Sequence, residues 1–294
     1  MHITIIEYEY NHQEVYILNL IQAIILGLIQ GLAEFLPVSS SGHLALAQHF
    51  FGMNPDSVLP FAVLLHIGTL VSVCIVYWRD ILGLIYEFFA SLKDLATTRS
   101  LNVNKNATRR MCWLIIVATI PTGIIGVLFN DMFEALYTSV LAIGIALIIT
   151  GTMLWAAEKY GRGINGIRNT KFKHALIVGL MQGVAIAPGI SRSGSTLVGG
   201  LACGLKREWA VRFAFLISIP PILGSAILEA PAAFEAGMDS SLVIPVVVGV
   251  VVSAVSGLFA IKGMIKIVSN KKLTYFSFYT WALGIAMVIY ACLS

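Results

Sequence analysis

The sequence predicts an all-α polytopic membrane protein: an inverted-topology repeat with six transmembrane helices and two re-entrant helical hairpins, in one membrane domain over residues 1–294. Three observations predict it. First, 58% of the 294 residues are hydrophobic and only 12% are charged, about half the charged share of a soluble protein, and the mean hydropathy is +0.87. Second, six segments approach the roughly 20 apolar residues that a spanning helix needs: about 58–78, 111–129, 135–156, 210–229, 241–261 and 275–292. Third, one polar-interrupted stretch is written twice. Gly27-Leu-Ile-Gln-Gly-Leu-Ala-Glu-Phe-Leu-Pro-Val-Ser-Ser-Ser-Gly-His43, moved by 152 residues without a gap, meets Gly179-Leu-Met-Gln-Gly-Val-Ala-Ile-Ala-Pro-Gly-Ile-Ser-Arg-Ser-Gly-Ser195. Gly27, Leu28, Gln30, Gly31, Ala33, Ser39, Ser41 and Gly42 recur identically, and Phe61-Ala62-Val-Leu64 meets Phe213-Ala214-Phe-Leu216 in the same register.

In chain order, Met1 to Glu14 carries Glu7, Glu9 and Glu14 and no Lys or Arg. A cleaved signal peptide would open with a positive region, so none is expected. Repeat one is predicted over about 15–156. It opens with hairpin 15–56: an apolar run at 15–36, the break Pro37-Val-Ser-Ser-Ser-Gly42, and a short apolar piece at 43–52. Repeat two is predicted over about 174–292. Its hairpin, 174–207, is an apolar run at 174–187, the break Pro188-Gly-Ile-Ser-Arg-Ser-Gly194, and a short piece at 195–205. Irregular backbone at membrane depth survives only where protein or a wet cavity surrounds it.

Charge sets the orientation. With residues 79–110 in the cytoplasm and strict alternation from there, eighteen of the nineteen Lys and Arg residues lie inside. The outer segments then hold acids such as Asp56, Asp131, Glu134, Glu229, Glu235 and Asp239, as the positive-inside rule requires. The net charge of +4 therefore follows from topology, and no nucleic-acid partner is expected. The first hairpin then opens outward and the second inward, so the halves are inverted. Such folds place their site near the midplane, where half-helix N-termini converge on an anion. The four cysteines, Cys74, Cys112, Cys203 and Cys292, form no CxxC and read as small buried hydrophobes.

The nineteenth basic residue is Arg192, inside the second break. Glu34 is the only acid between residues 15 and 55. An ionisable group within a membrane marks a functional site by default, against the plainer reading of a structural ion pair between the hairpins. Gln30 and Glu34 share a helix face at i, i+4. With substrate phosphates they are candidates to hold a hard divalent cation, Mg²⁺ or Ca²⁺; the plainer reading of Gln30 is an inter-helix hydrogen bond. Ser39, Ser40, Ser41 and Gly42 lead into one half-helix, and Ser191, Arg192, Ser193, Gly194, Ser195 and Thr196 into the other. Hydroxyls, glycine and open N–H groups at helix N-termini suit a phosphate, and the same hydroxyls suit helix caps. Arg192 can grip phosphate with two parallel hydrogen bonds. His43, three residues after Ser40, is the expected base for a serine nucleophile, with Glu34 to orient it; serine, histidine and a metal-bound water all stay open as the attacking group. His49, His66 and His174 read as packing or interfacial residues.

Gln30-Gly-Leu-Ala-Glu34-Phe-Leu-Pro37-Val-Ser-Ser-Ser-Gly-His43 resembles the (E/Q)xxxE…PVSSxGH motif of the undecaprenyl-diphosphatase, or bacitracin-resistance, family. Pro188-Gly-Ile-Ser-Arg192-Ser-Gly-Ser-Thr196 resembles that family's PGxSRSxxT motif, and the likeness covers nearly the whole chain. The resemblance implies an enzyme of the cytoplasmic (inner) membrane that hydrolyses a C55 polyprenyl diphosphate to the monophosphate and inorganic phosphate, supported by divalent cations. It implies functional roles for Glu34, Ser39, Ser40, His43, Ser191 and Arg192. Gln30 departs from the many members that carry glutamate there, which leaves one carboxylate where those have two; the acidic N-terminal extension is a second departure. The expected partners are the polyprenyl diphosphate and the membrane lipids, and a homodimer stays open. The competing functions are a polyprenyl-phosphate flippase or transporter using the same inverted-repeat site, and a non-catalytic binder of isoprenoid diphosphate. The pairing of Ser40 with His43 favours chemistry, because moving an intact diphosphate needs no nucleophile.

Overall fold

The computed structural model describes residues 18–53, 55–161, 163–235 and 240–293. The acidic stretch 1–14, Arg162 and Asp239 lie outside the described residues. Within them the chain is all helical, and five helices are long and apolar enough to cross a membrane, or six if one bent pair counts as a span. The protein is a polytopic membrane protein.

The hairpins follow from local chemistry. The first helix, α1 (Leu20–Phe35), starts on an Asn19 cap whose side chain accepts from Gln22 N while the Gln22 side chain accepts from Asn19 N. It stops before Pro37, whose ring forces the preceding residue out of helical backbone; Leu36 is extended at φ −74°, ψ 143°. After the break, α2 (Ser40–Phe50) starts on Ser39, whose hydroxyl accepts from Gly42 N–H. The second hairpin repeats the plan: α8 (Phe172–Val184), a break, then α9 (Arg192–Ala202), with Ser191 accepting from Gly194 N–H. The shift of 152 that aligns the sequences carries the bounds of α2 onto those of α9.

The two breaks meet. A Cβ on Gly42 would stand 2.9 Å from Gly189 Cα, and one on Gly194 would stand 3.3 Å from Pro37 Cβ; in the repeat register Gly189 is the counterpart of Pro37. Only glycine allows this approach at position 42, and Gly189 itself, at φ +90°, adopts backbone that other residues avoid. Hydrogen bonds close the junction: Ser193 Oγ donates to Leu36 O at 3.1 Å, Thr150 Oγ1 donates to Gly189 O at 3.0 Å, and Ser191 N–H donates to Thr150 Oγ1 at 3.1 Å.

Around this junction stand α3 (Pro55–Val76), α5 (Ala107–Leu128), α7 (Val140–Tyr160), α10 (Arg207–Glu235), α11 (Ser240–Ser269) and α12 (Thr274–Leu293). The predicted apolar segments fall on these helices. Each hairpin leans on the other half: α1 packs on α11 and α8 on α5, while α7 pairs with α12 and α3 with α10. Small residues make this possible where lipid gives no hydrophobic drive between helices. Gly27 of α1 lies on the α11 backbone, where an added Cβ would meet Gly249 O at 2.5 Å. The lipid-facing sides are apolar, as at Ile120, Ile124 and Val127 of α5.

Two features differ from the sequence expectation. Residues 79–110 do not form only a charged loop: α4 (Trp78–Thr98) turns 85° from the described part of α3. It exposes Trp78, Leu82, Ile85, Tyr86, Phe89 and Leu92 along one stripe. Its other side grips the buried Arg109 of α5, with Nε 2.7 Å from Glu87 Oε2 and Nη1 2.5 Å from Asp94 Oδ2. Charges every few residues hide such a helix from an apolar-run search, although it has the build of a helix lying along a membrane surface. Second, the cysteines are not all buried: Cys74 and Cys292 are exposed on outward faces, where an apolar thiol suits lipid, while Cys112 is buried.

The packing predicts a contrast. Gly27→Ala forces a clash with backbone and should destabilise by about 1–3 kcal/mol. Gly123→Ala on the open side of α5, where nothing lies within 4 Å, should be neutral or stabilising by up to about 1 kcal/mol. Thermal unfolding in one detergent, followed by circular dichroism, measures both; equal midpoints would contradict the close α1–α11 contact.

Candidate active site

Glu34 ends α1, and its carboxylate is buried, with 4% of the side chain exposed. Four groups from three other helices and its own converge on it. Arg192, the first residue of α9, forms an ion pair with Oε1 through Nη2. Ser40 Oγ donates to Oε2 at 2.6 Å, Gln30 Nε2 donates to Oε2 at 3.0 Å, and His66 Nε2 lies 3.5 Å from Oε2. The carboxylate thus joins both hairpins and α3 at one point.

The break residues divide into two classes. Ser39, Ser191, Ser193, Gly42 and Thr196 are buried, and their polar groups serve the fold. Ser39 and Ser191 cap helices, Ser193 holds Leu36 O, and Thr196 Oγ1 donates to Arg192 O at 2.9 Å in its own helix. Ser40, Ser41, His43 and Arg192 are half-buried, so a ligand can reach them. Ser41 Oγ lies 3.3 Å from Ser39 Oγ.

The expected pair of Ser40 with His43 is not what the fold builds. Ser40 turns back to Glu34, and His43 has other partners: Nδ1 lies 2.7 Å from Ser39 O, and Nε2 lies 2.7 Å from Tyr279 Oη on α12. Residues at i, i+3 share a helix face, but Ser40 sits at the helix start, where its hydroxyl can reach back across the break. Glu34, not His43, is therefore the group that the serine hydroxyl touches.

A metal has a thin donor set. Among the described residues no group of three or more His, Cys, Asp and Glu side chains comes together in a way that holds an ion. Gln30 Nε2 is spent on Glu34, while Gln30 Oε1 is buried with no hydrogen-bond partner. Gln182, its repeat counterpart, does make the inter-helix hydrogen bond expected of such a glutamine, to Thr122 Oγ1 at 3.1 Å.

Residues 23–286 match the family described as bacitracin resistance protein BacA. The chain belongs to that family. An undecaprenyl-diphosphatase of Alkaliphilus metalliredigens is 49% identical over 272 residues, covering 92% of this chain and 98% of that protein. One from Carboxydothermus hydrogenoformans is 44% identical over 277 residues, covering 92% and 97%, and one from Halothermothrix orenii is 41% identical over 274 residues, covering 93% and 99%.

In this BacA-family chain, two site residues escape sequence reasoning. His66, read as packing, stands beside Glu34. A signal existed, since it is the only Asp, Glu, Lys, Arg or His between 57 and 78 and the rule that flagged Glu34 applies equally to it. Tyr279 had no signal: it is one of ten tyrosines, and only folding brings it to His43.

Removing the carboxylate should expose how much rests on it. Glu34→Ala leaves Arg192 without its counter-charge and should cost about 3–5 kcal/mol. Gln30→Ala removes one hydrogen bond and should cost about 1 kcal/mol. Unfolding midpoints in detergent compare the two, and a larger loss for Gln30→Ala would show that the carboxylate is not the organising charge.

Proposed function

We propose that this chain hydrolyses undecaprenyl diphosphate to undecaprenyl phosphate and inorganic phosphate, renewing the lipid carrier of cell-wall synthesis, with Glu34, Ser40, His43 and Arg192 carrying the reaction. The observation behind this reading is the 2.6 Å hydrogen bond from Ser40 Oγ to Glu34 Oε2. A serine held on a carboxylate is a nucleophile with its base in place. Its names among relatives at 41–49% identity point the same way.

In the first step Ser40 Oγ bonds to the terminal phosphorus and its proton passes to Glu34. The bond from that phosphorus to the bridging oxygen breaks, and undecaprenyl phosphate leaves with the electron pair. In the second step water attacks the phosphoserine, inorganic phosphate leaves, and Ser40 recovers a proton. His43 Nε2, on the reachable side of α2, takes the proton of that water. Arg192 offers a planar fork of donors to the phosphoryl oxygens. The open N–H groups at the starts of α2 and α9 favour the same charge.

A divalent cation, Mg²⁺ or Ca²⁺, fits these residues only in company with the diphosphate. Glu34 and the unpartnered Gln30 Oε1 would hold it, and substrate and water would complete its oxygens. When bound it would neutralise charge on the phosphate oxygens.

The reading extends to orientation. Both termini and the first hairpin face the outer side of the cytoplasmic (inner) membrane, the active site opens there, and the two halves are inverted. Its support is the eighteen basic residues that this orientation puts inside. The relatives named above are named for hydrolysis and give the flippase alternative no support; a serine poised on a carboxylate has no task in transport.

Phosphate release from undecaprenyl diphosphate in detergent, where transport is impossible, tests the chemistry. Ser40→Ala should lose about a thousandfold or more in kcat, as other activated serines do, and Ser41→Ala much less. Equal modest losses would point to an attacking water or to His43. For orientation, a single cysteine at Asn270, in an otherwise cysteine-free protein, should react with an impermeant maleimide only after the cell is opened. Labelling in intact spheroplasts would reverse the topology.

A further inference from the structure

We infer that Tyr279, on α12, is the positioning residue that holds His43 in one tautomer and one orientation for the reaction; this rests on the role given to His43 above. The geometry is specific. His43 Nδ1 lies 2.7 Å from the carbonyl oxygen of Ser39. A carbonyl only accepts, so Nδ1 carries the proton and donates. The other ring nitrogen, Nε2, is then the one with a free lone pair. At 2.7 Å from it lies Tyr279 Oη, whose hydroxyl donates to that lone pair in the resting site and yields it to the water that attacks in the second step. Both ends of the imidazole are thereby held, one by its own helix start and one from a helix 236 residues away. The two rings lie nearly parallel, at 12° with centroids 5.6 Å apart, so the hydroxyl meets Nε2 close to the plane of the imidazole.

The Ser39 end of this clamp is itself built in. Ser39 has φ +71°, a backbone region that costs a non-glycine residue free energy and persists where the surroundings dictate it. Its carbonyl takes both the backbone N–H of His43 at 3.2 Å and the ring N–H. Among the described residues of the hairpin, none holds Nε2. Without the Tyr279 hydroxyl the imidazole can turn over or exchange tautomers, and the lone pair then leaves the open side of the site. Tyr279 does not need to touch the substrate for this. Its own ring is half exposed, on the same open side from which His43 and Ser40 are reached. Because α12 packs on α7 while α2 belongs to the first half, the histidine is set only when both halves are assembled.

Tyr279→Phe keeps the ring and removes the hydroxyl. In the phosphate-release assay kcat should fall about three- to tenfold, the worth of one neutral hydrogen bond, while KM stays within twofold. A second measurement reads the ring directly. In protein labelled with ¹⁵N-histidine, the His43 resonances, identified by their loss in His43→Gln, should show a single Nδ1–H tautomer. In Tyr279→Phe the Nε2 resonance should move and a second tautomer should appear. Unchanged kcat in Tyr279→Phe overturns the inference, and so does a fall in kcat with the His43 resonances unmoved. If instead His43→Gln turns over at the wild-type rate, the reading of His43 as a reacting group fails, whatever the resonances show.

Discussion

A carboxylate buried at the end of an apolar helix and paired with an arginine from the opposite hairpin is the constraint on which this structure turns. Glu34 sits in an apolar helix and is 7% exposed. A charge at the centre of a spanning helix costs about 2.5–3.5 kcal/mol on insertion scales, so the fold must supply compensation there. It does so with Arg192 from the other half and with hydrogen bonds from Gln30 and Ser40. None of these suffices alone, and the arginine arrives only if the two breaks close on each other. The pair therefore couples assembly of the halves to completion of the site.

The breaks show how duplicated scaffolding acquires chemistry. At equivalent positions the repeat keeps Ser39 and Ser191 as caps and Gly42 and Gly194 as contact points. Those residues satisfy backbone groups that lipid cannot. The departures from the repeat carry the groups to which the reaction is assigned. Glu34 faces Ile186 in the alignment, Ser40 faces Arg192, and His43 faces Ser195. One half contributes the acid, the alcohol and the imidazole, and the other contributes the cation. The repeated sequence brings two helix starts together, and the departures from it put an ion pair at their meeting point rather than a neutral junction.

Packing among the helices follows from the lack of a hydrophobic drive between apolar surfaces in lipid. Glycine and serine lines replace bulky cores where helices come closest: α1 lies on α11 through Gly27 and Gly31 against Gly249, Ser253 and Ser256. Bulkier packing gathers elsewhere, where Phe35, the residue after Glu34, meets Phe215 edge-on at 5.5 Å. At the other end of α3 the 85° turn into α4 leaves the Arg109 cluster as the clasp between that helix and α5.

Much of this was legible in the sequence because membrane solvation leaves few options. Long apolar runs must be helices, a proline and a string of small polar residues must break them, and isolated charges must be paired. Those rules set the helical class, the positions of the breaks, and Glu34 and Arg192 as the charges that matter. They set the capping serines too, since a hydroxyl before a half-helix has an orphan N–H to satisfy. The amphipathic α4 escapes an apolar-run search because its charges interrupt every apolar window, and His66 because a lone histidine in an apolar run suits packing as well as chemistry. What the sequence by itself determined is the inventory of polar groups placed within the membrane, because each local break in apolarity needs a local reason. Only the tertiary structure decided which of them touch: Ser40 on Glu34 rather than on His43, and Tyr279 on His43 from 236 residues away. Those choices depend on the angle at which two helix starts meet, and no spacing along the chain encodes that angle.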